Sequence, residues 1–149
     1  GTQNTAVGAY ALDANTTASN NTAVGNEALS ANTTGTANTA VGKQALKLNT
    51  TGGYNTAVGE QCLEDNTTGN DNTSVGRTAL NANTTGDNNT ALGVNALSTN
   101  TTGNLSVAVG KDALKVSTGG LATAVGAFAA DAHTTGAYTT AIGILLLVL

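Results

Sequence analysis

Asn21-Thr22-Ala23-Val24-Gly25-Asn26-Glu27-Ala28-Leu29-Ser30-Ala31-Asn32-Thr33-Thr34-Gly35-Thr36-Ala37 is followed at Asn38 by a second copy of its own pattern. Written as N-T-A-V-G-x-x-A-L-x-x-N-T-T-G-x-x, this 17-residue unit starts nine times, at Asn4, Asn21, Asn38, Asn55, Asn72, Asn89, Ser106, Ala122 and Thr139. Every step is 17 residues except Ser106 to Ala122, which is 16. The reading places the missing residue after Gly120, in a variable pair, which implies a surface turn. A short fixed period is the mark of a stacked architecture in which each unit buries its face on the next. Helical repeats need about 34 residues per unit, and a segment punctuated by Gly and Asn-Thr-Thr-Gly cannot hold two helices. Thr-Ala-Val favours a strand, because two β-branched residues flank the alanine. The expected fold is all-β: a parallel β-solenoid of nine coils over residues 1–143, followed by an apolar segment, 144–149.

The columns of the repeat carry the physics. Val7, Val24, Val41, Val58, Val75, Leu92, Val109, Val125 and Ile142 form one aliphatic column; Leu12, Leu29, Leu46, Leu63, Leu80, Leu97 and Leu114 form a second. Both are read as structural core. An unbroken glycine column from Gly8 to Gly143 reads as a bend that needs positive φ or a close backbone approach. All fourteen Asp, Glu, Lys and Arg residues fall in the six variable columns. A coil with solvent-facing variable positions predicts that segregation, and a disordered low-complexity chain does not. Coils stacked at a strand spacing of ~4.8 Å would make a rod of roughly 40 Å.

Composition excludes several function classes. Asn (19), Gly (19) and Thr (28) dominate the 149 residues, and 9% are charged, against roughly 25% in an average soluble domain. The net charge is −4, with five Lys and Arg in all, so nucleic acid is not an expected partner. One Cys and one His make neither a disulfide framework nor a zinc site, and no cofactor is expected. Cys62 stands in a column of alanines and reads as a small core residue. His133 stands in the column of Asn15, Asn32, Asn49, Asn66, Asn83 and Asn100, and reads as a polar substitution in a turn ladder. Stacked Asn side chains hydrogen-bond along such a ladder, and Asn also suits turns. The same Asn-Thr-Thr triplets fit the N-glycosylation sequon, but coils at ~4.8 Å leave no room for a glycan on each. Aspartates are scattered, which argues against repeat-wide calcium and leaves open one local site near Glu64, Asp65 and Asp71. No pair of carboxylates in register supports glycoside hydrolysis, and the chain is not expected to be an enzyme.

Successive strand side chains face opposite ways. With the Val column pointing into the coil, the column of Ala6, Ala23, Ala40, Ala57, Ser74, Ala91, Ala108, Ala124 and Ala141 points out. A column small in every copy implies close packing on that face too, and is read as an inter-chain contact. The chain's partner would then be itself. The apolar run Ile144, Leu145, Leu146, Leu147, Val148 and Leu149 is too short to span a bilayer, which takes ~20 residues. It reads as a docking segment for a further subunit or domain, or as a truncated continuation of the chain.

Asn-Thr-Ala-Val-Gly, as at 21–25, and Asn-Thr-Thr-Gly, as at 32–35, resemble repeats in the YadA-like heads of trimeric autotransporter adhesins. They also resemble tail-fibre repeats found upstream of intramolecular chaperone domains in phages and giant viruses. The resemblance runs from Asn4 to Gly143 and implies a left-handed parallel β-roll with three chains associated. The unit here is longer, with Asn-Thr-Thr-Gly inserted. The expected function is a structural or adhesive fibre module on a cell surface, virion or extracellular filament. Tyr10, Tyr54 and Tyr138 are candidates to meet a cell-surface or glycan receptor. The alternative is an ice-binding solenoid using the Thr16-to-Thr134 and Thr17-to-Thr135 columns. It is disfavoured because adjacent threonines on a strand face opposite ways.

Overall fold

The computed structural model describes residues 1–136 and 138–144. Nine three-residue strands form one parallel sheet in chain order: β1 (Thr5–Val7), β2 (Thr22–Val24), β3 (Thr39–Val41), β4 (Thr56–Val58), β5 (Thr73–Val75), β6 (Thr90–Leu92), β7 (Val107–Val109), β8 (Thr123–Val125) and β9 (Thr140–Ile142). The register is strict: Ala23 pairs with Ala40 and Val24 with Val41, and so on along the array. The chain is a β-solenoid with one coil per repeat, and the described residues hold no helix.

The turns explain the glycines and ask something unusual of other residues. Gly25 has φ +142, and a Cβ there would sit 2.4 Å from the carbonyl oxygen of Gly42 in the next coil. Only glycine meets both demands. Each of the first eight coils also holds three non-glycine residues near φ +50 to +63, such as Glu27, Leu29 and Ala37 in the second coil. Leucine is a poor resident of the left-handed region. It is held there because its side chain is then fully buried: Leu29, Leu46, Leu63, Leu80, Leu97 and Leu114 have no exposed surface. Burying a leucine contributes roughly 1.5–3 kcal/mol, against about 1–2 kcal/mol for the left-handed conformation.

The faces of the strand are the reverse of the sequence expectation. Ala23, Ala40, Ala57, Ser74, Ala91, Ala108, Ala124 and Ala141 are buried to 0% exposure inside their own chain, against the leucine column. They are core, not an inter-chain contact; Ala6, in the first strand, is exposed. The Val column points outward: Val7, Val41, Val75, Leu92, Val125 and Ile142 are exposed, and Val24, Val58 and Val109 are half-buried. The interior is thin. Opposite a buried leucine only a methyl fits, and alternation then sends the flanking Thr and Val to the outer face.

The short coil also differs from expectation. Gly103 lies under the carbonyl of Gly119, and Gly120 lies against Asn104. Gly119 therefore occupies the Thr-Thr-Gly glycine position, and Gly120 the first variable position after it. The lost residue is the second threonine, exposed in the other coils, rather than one after Gly120.

Candidate interaction face

Two asparagine ladders fix the coil from which the outer face is built. In one, Asn66 Nδ2 donates to Asn49 Oδ1 at 2.8 Å, and the same link joins Asn49 to Asn32 and Asn83 to Asn66. This is the column singled out in the sequence. The second, at the first position of the unit, was not recognised as a ladder from sequence. There the backbone N–H of Asn38 donates to Asn21 Oδ1 at 2.9 Å, and this repeats up to Ser106 on Asn89. The ladders meet inside each coil: Asn21 Nδ2 and Asn32 Nδ2 both donate to Gly35 O at 2.9 Å. Among the described residues no buried side-chain nitrogen or oxygen lacks a partner, as a packed polar interior demands. Both columns of side chains are spent on the fold. Asn32, Asn49, Asn66, Asn83 and Asn100 have 0% exposure, so they are not accessible as glycan acceptors in the folded coil.

The sheet outside this interior presents Thr and Val from each strand, two residues apart and on one side. The face carries Thr22 and Val24, Thr39 and Val41, Thr56 and Val58, and so on, with Val107 replacing Thr in β7. No charged residue occurs in any strand. The charges sit on the turns flanking the Ala-Leu corner and at the opposite corner, and several are paired: Lys47–Glu27 at 2.9 Å, Lys43–Glu60 at 3.7 Å, Lys111–Asp112, and Lys115–Asp112 at 3.6 Å. Lys47 and then Gln44 hold the Glu27 carboxyl below the usual range. Lys111, with help from Asn95, does the same for Asp112, against the opposing effect of burial.

The threonines of Asn-Thr-Thr-Gly divide into two roles. The first hydroxyl is committed: Thr33, Thr50, Thr67 and Thr84 Oγ1 donate to the carbonyl of the corresponding threonine one coil on, at 2.9–3.0 Å. The second threonine is exposed, and its column is interrupted in the short coil.

Other sequence candidates find ordinary roles. Cys62 is buried, its Sγ 2.9 Å from Ser74 Oγ, and Ser74 Oγ donates to Ala79 O at 2.9 Å. Burial pushes the thiol up to about 11. The only serine in the strand alanine column thus faces the only cysteine in the neighbouring one. His133 joins the two ladders, with Nε2 2.9 Å from Thr139 Oγ1 and Nδ1 3.4 Å from Ser117 Oγ. Among the described residues no group of three or more His, Cys, Asp or Glu is placed to hold a metal; Glu64 instead meets Gln61 and Asn81. Tyr10, Asp13, Glu27, Ser30 and Ala31 line an open groove of about 300 Å³. Its Glu27 is committed to Lys47 and Gln44. Tyr54 and Tyr138 are exposed, at separate heights along the rod. Ile144 is exposed, while Leu145, Leu146, Leu147, Val148 and Leu149 lie outside the described residues. Among the described residues no helix is long and apolar enough to cross a membrane.

No family model, curated protein or solved structure matches the chain.

Proposed function

We propose that this chain is a rigid, non-catalytic module of a homo-oligomeric extracellular fibre, of the kind found in surface adhesins and viral tail fibres. The observation that carries the reading is the Thr/Val face: uncharged, half-apolar and continuous over nine strands. Long apolar stripes on a soluble rod mark interaction sites. A chain of net charge −4 meets its own copy with least repulsion on a surface that carries no charge. The inter-chain contact expected from sequence at the alanine column is thereby assigned to the outward Val column. Three chains is the number implied by the resemblance to YadA-like heads. The variable turns flanking the Ala-Leu corner, Tyr10 among them, remain outside such a contact and are the positions available to a cell-surface or glycan receptor.

Sedimentation velocity tests the reading. The purified chain is expected to sediment as one oligomer, and Val41→Lys with Val75→Lys to sediment as a monomer that keeps the β-sheet circular dichroism of the parent and melts lower, as loss of a native-state partner requires. A wild-type monomer across the accessible concentration range would remove the fibre reading.

A second reading, ice binding, draws on one specific observation. The outward Thr and Val stand at i and i+2 on a regular sheet, a two-dimensional array that the Asn-Thr-Thr-Gly columns do not make. It predicts thermal hysteresis from the monomer, and its absence at millimolar protein would exclude it.

A further inference from the structure

We infer that Leu105 and Leu121 pack against the same pair on a second copy of this chain and set the axial register between parallel copies. The inference rests on the homo-oligomeric reading above.

Each coil turns into its strand through a residue in the left-handed region, two positions before the outward strand residue. Asn20, Asp71 and Asn88 hold this position with φ +63, +57 and +58, and Asn and Asp tolerate that geometry well; Ala37 holds it in the second coil, and Tyr54 and Tyr138, both exposed, hold it with φ +59 and +61. Leu105 and Leu121 hold it with φ +59 and +62, yet are 57% and 40% exposed. The leucines of the core accept the same backbone cost and are repaid by complete burial. These two are not. A residue that breaks both the backbone and the burial preference, with no compensation inside its own chain, points to a contact outside it. The neighbouring strand position changes in the same sense, because Val107 stands where the other strands have Thr.

The occupant follows from the period. The corner lies at the edge of a face that repeats once per coil at the strand spacing of ~4.8 Å. An identical coil ladder has the same repeat and the same uncharged columns. Two such faces are nearly degenerate, however: a slip by one coil leaves all but one row of contacts in place. Register between uniform strand arrays is weakly specified unless something non-repetitive fixes it. Aliphatic side chains fill this corner in two successive coils only, at Leu105 and Leu121, with Tyr54 three coils before and Tyr138 one coil after; the column is aperiodic, so like meets like at a single height. Parallel copies satisfy that contact and overlap all nine strands. An antiparallel pair centred between β7 and β8 would leave β1 to β5 without a partner strand.

Electron–electron distances between nitroxides test this in the assembled full chain, with Cys62→Ala and one label at either Lys43→Cys or Arg77→Cys. These exposed sites share the turn column two residues after the outward Val and lie two coils apart. Parallel, in-register copies give one intermolecular distance, the same for both labels. In Leu105→Asn with Leu121→Asn, that single distance is expected to spread into several or to disappear, while the melting curve stays unchanged. Asn is compatible with this backbone position, so the fold is not the variable. A variant that keeps the single shared distance overturns the register role and leaves the fibre reading intact. Unequal distances from the two labels in the parent chain overturn the parallel arrangement. No intermolecular distance in the parent chain removes the fibre reading and this inference together.

Discussion

Asn66→Ala should cost far more than its size implies. Asn66 Nδ2 donates to Asn49 Oδ1 at 2.8 Å and to Gly69 O at 3.0 Å, and its Oδ1 accepts from Asn83 Nδ2 at 2.8 Å. Gly69 O keeps a second donor, Asn55 Nδ2 at 2.8 Å, so that carbonyl remains satisfied. Asn49 Oδ1 and one N–H of Asn83 do not, and both residues have 0% exposure. An orphaned buried polar group costs about 1–3 kcal/mol, which makes about 2–6 kcal/mol for the pair. For a chain of this length each kcal/mol lowers Tm by about 2–4 °C, so a fall of at least about 4 °C is expected. Asn66→Asp is predicted to be worse, since it sets an oxygen against two acceptors in a buried place. Asn26→Ala is the control. It removes one exposed contact, to Ala9 O at 3.3 Å, and should stay within about 0.5 kcal/mol of wild type. Thermal melts and urea titrations followed by circular dichroism read all three. If Asn66→Ala matches Asn26→Ala, the ladder does not hold the coils together and the account of the interior is wrong.

The backbone makes an opposed pair of predictions. Gly59→Ala, at φ +138 with the new Cβ 2.7 Å from the Gly76 carbonyl carbon and oxygen, should destabilise by more than about 3 kcal/mol. Ala37→Gly, at φ +57, should stabilise by roughly 0.5 kcal/mol, because relief of left-handed strain exceeds the entropy lost by the freer unfolded chain; differential scanning calorimetry reads both shifts. The Asp112 carboxyl is held below its ordinary value by Lys111, so its contribution is present above the unfolded pKa of about 3.9 and is lost as pH falls through the lower folded value. The stability gap between wild type and Asp112→Asn should therefore be full near neutrality and close below about pH 4, as denaturant titrations over pH would show. Cys62, buried and pushed up to about 11, should resist thiol reagents at pH 8 in the folded chain and react fully in denaturant. Rapid labelling of the native protein would contradict the packing of Cys62 against Ser74.

Most of the coil was legible because repetition turns a weak local signal into a column. The strand at Thr-Ala-Val, the parallel stacking and the glycine bend all follow from nine aligned copies, and so does the exclusion of charge from the patterned positions. The facing of the strand was not legible. Val24 is larger and more apolar than Ala23, so size favours Val as the buried residue. The interior is narrow, though, and Leu29 already fills it from the far side, leaving room for a methyl only. A hint lay in Ala23 itself: a position that stays small in every coil is as well explained by a tight interior as by a tight interface. The left-handed φ of Leu29 carried no local signal either, since leucine is not a turn residue and only burial holds it there. The position of the short coil's deletion was ambiguous because Gly119 and Gly120 are the same residue type, and the stacking of Gly103 on Gly119 resolves it. The first-position asparagines give no local sign of a ladder in the sequence. Their ladder role depends on the backbone N–H of one coil reaching the side chain of the coil before it, a contact across 17 residues.

The most direct test of the fibre account is electron cryo-microscopy of the assembled chain, viewed end-on, with the cross-section resolved well enough to count coils and place the Thr/Val face. The account predicts more than one coil per cross-section, stacked at ~4.8 Å, with the Thr/Val faces turned toward neighbouring chains and the charged turns toward solvent. A lone coil with its Thr/Val face in solvent, or chains that meet through the Lys43–Glu60 side, would contradict it.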